Sequence, residues 1–163
     1  MSADGGPAAG QLLEWPGAFR LRVPAGWDAT GVEGHRYTLR CGDVDATIDL
    51  SVHRVPDAGA DGGSAARPDA REVVLAHARS AGQDARVLPL HGDESPTESR
   101  AGARWDVGGH GGVAAVVCTG RVVVLAAAVA ADDASRVAVE RVVTTLEPAT
   151  PPARRWFGRR RSS

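Results

Sequence analysis

From Val113 to Ala130 the chain reads VAAVVCTGRVVVLAAAVA, and this run limits the fold more than any other part of the sequence. It approaches the length of a membrane helix, which needs about 20 uninterrupted apolar residues, but Thr119-Gly120-Arg121 breaks it near the middle. The valine density on both sides of the break predicts two β-strands joined by a tight turn. In the second, RVVVLAAAV, apolar residues do not alternate with polar ones, so both faces have to be buried. Such a strand belongs in the centre of a sheet that carries helices on each side.

Other segments do alternate. FRLRV sets Phe19, Leu21 and Val23 against Arg20 and Arg22, and PAGW ends that strand and delivers Trp27 to its end. HRYTLRC sets Tyr37, Leu39 and Cys41 against Arg36, Thr38 and Arg40. After the turn at Gly42-Asp43, ATIDLSV puts Ala46, Ile48, Leu50 and Val52 inward. The three segments read as an antiparallel meander. PDAGADGGSAARP is a loop, after which Pro68, Asp69 and Glu72 open a helix of about three turns that stops at Gly82. Its apolar stripe is Ala70, Val73, Val74, His77 and Ala81.

ARVLPL is a short strand that Pro89 marks as an edge or an end, and ARWDV puts Ala103, Trp105 and Val107 inward. GGHGG turns the chain into VAAVVC. A second helix opens at Asp132 or Asp133 and runs to about Leu146, with Ala134, Val137, Ala138, Val142 and Leu146 on its core face, before Pro148, Pro151 and Pro152. The expected class is α+β: a single domain with an antiparallel β-sheet of about six to seven strands flanked by helices on both faces. Residues 1–14 read as a flexible lead-in, 15–148 as the domain and 149–163 as a Pro/Arg-rich disordered tail. A 163-residue chain can bury a core without disulfides, and Cys41 and Cys118 read as free, buried thiols. MSADGGPAAGQLLEW has neither the basic nor the apolar region of a signal peptide, so the expected location is cytoplasmic.

The order of the pieces, FRLRVPAGW, ATIDLSV, a helix, ARWDV, two valine-rich strands and a last helix ending VVTTLEP, resembles the PsbP-like superfamily over about Phe19 to Pro148. The most local shared element is a strand followed by Pro-x-Gly-Trp, here Val23-Pro24-Ala25-Gly26-Trp27. That superfamily includes the photosystem II extrinsic protein, DcrB-type bacterial proteins, a Ran-binding import factor and type VI secretion effector chaperones. The resemblance implies a sheet with helices on both faces and a domain that binds other molecules rather than transforming them. It carries no functional residue onto a numbered position here.

The sequence contains no catalytic constellation. GHGG, at 109–112, resembles the oxyanion loop of esterases, but no G-x-S-x-G nucleophile motif accompanies it, so it reads as a hairpin turn. A calcium loop beginning at Asp57 would need an acid where Pro68 stands. Asp43 and Asp45 flank a turn, and His35, His53, His77, His91 and His110 lack the spacing of metal ligands. No enzyme activity, cofactor or metal is expected, and no small-molecule substrate is evident. If Trp27 and Trp105 share one face of the sheet, they line a groove.

Charge is unevenly distributed. Five arginines against Glu147 give +4 from residue 147 onward, so the rest of the chain carries −5 of a net −1. Lysine and asparagine are absent and Ile48 is the only isoleucine, the pattern of a GC-rich genome, so arginine richness alone says little about function. The end of the chain, RRWFGRRRSS, is a candidate contact through Arg154, Arg155, Trp156, Phe157, Arg159, Arg160 and Arg161. An anionic membrane would attract it by about 1 kcal/mol per arginine; nucleic acid is disfavoured by the acidic body; a protein partner is the preferred reading. The function expected is a non-enzymatic protein-binding module, adaptor-like or chaperone-like, placed in secretion by analogy of fold. The alternatives are a peripheral membrane protein docked by its tail and a small hydrolase or ligand-binding enzyme.

Overall fold

In the computed structural model, which describes residues 10–56, 68–92 and 99–149, the valine-rich run forms two paired strands, His110–Thr119 and Val122–Ala130. The elements in chain order are β1 (Gln11–Trp15), β2 (Phe19–Val23), β3 (Trp27–Val32), β4 (Arg36–Cys41), β5 (Ala46–Arg54), α1 (Ala70–Ala81), β6 (Gln83–Leu88), β7 (Arg100–Val107), β8 and β9 (the hairpin), α2 (Asp133–Val143) and β10 (Glu147–Pro148). Seven strands form one antiparallel sheet in the order β3-β4-β5-β9-β8-β7-β6. The other three form a small sheet, β1-β2-β10. The α+β class expected from the sequence is the one observed.

Alternate residues of β8 supply two separate cores. Val113, Ala115 and Val117 join Val139, Val142 and Val143 of α2, together with Leu146 and the inward residues of β2, Phe19, Leu21 and Val23. Ala114, Val116 and Cys118 join Ala70, Val74 and Ala78 of α1, with Ala101, Ala103 and Trp105 of β7. Each large apolar side chain fully removed from water contributes about 1.5–3 kcal/mol, so the hairpin is anchored on both faces. Both helices are capped by aspartate: Asp69 accepts from the Arg71 N–H (2.9 Å) and Asp132 from the Ser135 N–H (2.7 Å).

The C-terminal end of α2 is held by a buried arginine. Arg100 on β7 donates from Nε to the Leu146 carbonyl (2.6 Å), from Nη1 to that of His91 (2.8 Å) and from Nη2 to that of Thr144 (3.1 Å). Carbonyls at a helix end lack intrahelical partners and carry partial negative charge. One guanidinium therefore satisfies the turn after α2 and ties it to the sheet.

Several expectations are corrected. Gln11–Glu14 belong to β1, paired with β2, so this part of the expected lead-in is strand. FRLRV is not the first strand of the meander; its place beside β4 is taken by β3, which an edge position leaves with five of six residues exposed and so with no visible alternation. Trp27 begins β3 instead of ending β2. In α1, Ala78 is buried and Ala81 is exposed. In α2 the inward residues are Ser135, Val139, Val142 and Val143, whereas Ala134 and Val137 face solvent. The cause is Ser135, whose hydroxyl bonds the Asp45 carbonyl (3.3 Å) and so places a polar residue on the inward side. Leu146 is buried as expected, but beyond the helix, and Pro148 pairs with Phe19.

Trp105 lies flat on β8: a Cβ on Gly112 would run into its indole ring. Gly112→Ala is therefore expected to cost about 1–3 kcal/mol in urea unfolding, in the range of core overpacking; an unchanged midpoint would show that the indole moves freely. The His77 ring stands edge-on to the same indole, with centroids 5.4 Å apart. Burial lowers the His77 pKa from its usual 6.5, so folding favours the neutral ring. Its contribution is complete above the unfolded pKa, declines as pH falls through 6.5, and falls no further below the lowered folded value. His77→Phe is expected to flatten that part of a plot of urea midpoint against pH.

Candidate functional site

On the face where it lies, α1 packs on β6, β7 and β8. Its core extends to part of β9, where Val123 is 7% exposed, but among the described residues no helix covers the same face of β5, β4 and β3. Strand register sets its side chains in rows: Asp28–Arg40–Thr47, Thr30–Thr38–Asp49 and Val32–Arg36–Ser51, with His53 beyond. Residues of the opposite parity, Trp27, Leu39, Ile48 and Leu50 among them, enter the core beneath α2. On β9 the face turns apolar: Leu125 and Ala127 pack against the α1 core, and Val129 is 53% exposed.

A depression of about 340 Å3 on this face is lined by Val32, Arg36, Thr38, Asp49, Ser51 and His53, with Tyr37 and Leu50 completing it. Thr38 Oγ1 donates to Asp49 Oδ1 (3.4 Å), and His53 Nε2 lies 2.9 Å from Ser51 Oγ. A serine within reach of an imidazole is the beginning of an activated nucleophile. Acyl transfer also needs donors converging on an oxyanion, and β5 is an internal strand whose backbone faces β4 and β9. What the arrangement offers directly is a platform of hydroxyl, carboxylate and guanidinium groups beside an apolar strip. A smaller depression, of about 120 Å3, is lined by Trp15, Pro16, His35, Val52 and Arg54 among others. Its Trp15 ring sits 5.6 Å from both His35 and Tyr37.

Trp27 and Trp105 do not form the expected groove. Trp27 is opposite Cys41 on β4 and 9% exposed in the α2-side core, whereas Trp105 is opposite Gly112 on β8 and 2% exposed beneath α1. The two strands present these tryptophans to opposite faces of the sheet. Arg154, Arg155, Trp156, Phe157, Arg159, Arg160 and Arg161 lie outside the described residues, as does the segment 57–63. The histidines are dispersed: His35 on Trp15, His53 on Ser51, His77 on Trp105, and His110 Nδ1 3.3 Å from the Ala131 carbonyl. Among the described residues no three His, Cys, Asp or Glu side chains gather as a metal site. Gly108 and Gly109, with φ of 52° and 86°, form the turn before His110, as the hairpin reading of GGHGG requires. The lining residues Thr38, Asp49, Ser51 and His53 were legible only as outward positions of alternating strands. The available signal was the contrast between an all-polar outward set on β5 and a β9 that is apolar on both faces.

No family model and no curated protein matches the chain. Solved structures do. A protein from Bacteroides thetaiotaomicron VPI-5482 is 13% identical with a TM-score of 0.54, over 86% of this chain and 48% of its own. This chain thus spans about half the length of that protein. Cyanobacterial PsbP (CyanoP) from Synechocystis sp. PCC 6803 is 16% identical with a TM-score of 0.50, over 91% of this chain and 98% of its own. The chain has a PsbP-like fold.

The two cysteines are free thiols in different settings, Cys41 half-buried on β4 and Cys118 buried on β8. Burial, and secondarily the charge of Asp69, push the Cys118 thiol up to about 11. A thiolate is the reactive form, so a disulfide reagent at pH 8 should modify Cys41 in the native protein and reach Cys118 only after denaturation. Rapid modification of both in the native state would contradict this placement.

Proposed function

We propose that the chain is a non-enzymatic protein-binding module, adaptor-like or chaperone-like, which receives a partner on the open half of its large sheet. The observation that carries this reading is the uncovered face of β3, β4 and β5, where the polar groups of Thr38, Asp49, Ser51 and His53 lie beside the margin of the α1 core at Leu125 and Ala127 and the exposed Val129. Protein interfaces combine an apolar centre with a hydrogen-bonding rim, and an amphipathic segment laid along α1 would find both. The arginines and aromatics of 149–163 add a second contact, drawn to acidic groups on the same partner. A cytoplasmic location is part of this reading, and a place in secretion enters it by analogy of fold alone. Among the described residues no helix is long and apolar enough to cross a membrane.

The test is an affinity capture from native lysate at low and high salt with three chains: full length, one ending at Pro148, and full length carrying T38R and S51R. Retention by the shortened chain and at least about tenfold loss in the double variant are expected. Capture that requires residues 149–163 and fails in high salt would overturn the sheet-face site. If those residues also drive binding to anionic vesicles, the chain is instead a peripheral membrane protein.

A further inference from the structure

The large sheet has two edges, and they differ. At β6 the pairing with β7 shifts between Gln83 and Arg86, Asp84 adopts a left-handed φ of 54°, and Pro89 follows the strand. Bulges and prolines of this kind keep an edge from pairing with another chain. The other edge, β3, is a six-residue strand, WDATGV, without proline, lysine or irregular pairing. Among the described residues nothing pairs with its outer side.

Its hydrogen-bonding phase follows from two neighbouring bonds. The Gly42 N–H donates to the Gly26 carbonyl (2.9 Å), and the Val52 N–H donates to that of His35 (3.0 Å). Bonded and non-bonded pairs alternate in antiparallel ladders, so Asp28, Thr30 and Val32 bond β4. Trp27, Ala29 and Gly31 turn their N–H and C=O groups outward.

We infer that β3 is a self-pairing edge, through which two copies of the chain join antiparallel about a two-fold axis at Ala29. In that register Asp28 stands opposite Thr30 of the second copy, twice by symmetry, and a carboxylate meets a hydroxyl donor. Trp27 stands opposite Gly31 of the second copy, where no side chain competes for space. Moving the axis to Asp28 sets two carboxylates against each other, which is destabilising, and moving it to Thr30 sets Asp28 against Val32. The side chains thus select one register. The join places the two open faces on the same side of a continuous sheet, and it stands independently of what those faces bind. A ladder of this kind, Trp27 to Gly31 on each side, buries less than a standard interface of about 1,600 Å2, so the dimer dissociates on dilution.

Sedimentation velocity over a concentration series tests this with the full chain. A monomer–dimer equilibrium is expected, weakened at least about tenfold by Ala29→Pro, which removes an outward N–H that the monomer does not use. Circular dichroism and melting check that this variant folds. Thr30→Asp, which sets like charges opposite each other, decides the matter if it does not. In a Cys41→Ser background, Ala29→Cys should give a disulfide-linked dimer on mild oxidation and Val32→Cys should not. A monomer at every concentration, or a dimer indifferent to both edge variants, would overturn the inference. So would a wild-type monomer whose β3 amides gain exchange protection only on adding an extended peptide, since the edge would then belong to a foreign strand.

Discussion

The structure depends on the two-sided burial of β8 and β9. A hairpin with apolar side chains on both faces is stable only if both faces are removed from water at once, and each face recruits a different part of the chain. α1 closes one. The other is closed by α2 together with β2, whose Phe19, Leu21 and Val23 reach the same core as Val113, Val117 and Val124. Small residues make the close packing workable: Ala101, Ala103 and Ala114 lie under α1, and Gly112 makes room for the Trp105 ring.

Width explains why one region is left open. Neighbouring strands lie about 4.8 Å apart and a helix with its side chains is about 10–12 Å across, so one helix covers two or three strands of a seven-stranded sheet. On the α2 side the small sheet completes the cover. On the α1 side nothing comparable does so among the described residues, and the strands beyond β9 carry threonine, serine, arginine and aspartate outward. The candidate site is therefore where coverage by the chain's own elements stops. The same geometry leaves β3 at the margin of the sheet with a row of backbone groups facing away from β4.

Much of the fold was legible because some elements carry their own period. β2, β4, β5 and β7 alternate, the hairpin has its glycine turn, and Asp69 and Asp132 mark the helix starts. β1 and β3 were not legible, because edge strands bury too little to show alternation; only Trp27 of β3 is buried. The phase of α2 was misread because Ser135 occupies an inward position by hydrogen bonding to the Asp45 carbonyl. The face shared by Thr38, Asp49, Ser51 and His53 could be read as outward, but whether a helix covered it could not.

The spacing of apolar residues along one chain was enough to set the alternating strands β2, β4, β5 and β7, the two-sided burial of the central hairpin and hence the need for cover on both faces. Which strand lies beside which depends on tertiary contacts. That relation separated Trp27 from Trp105, moved FRLRV into a second sheet, set Arg100 against the end of α2 and left half of one face open. Strand order and the reach of a helix across a sheet depend on contacts between residues distant in sequence, and no period within a single segment records them.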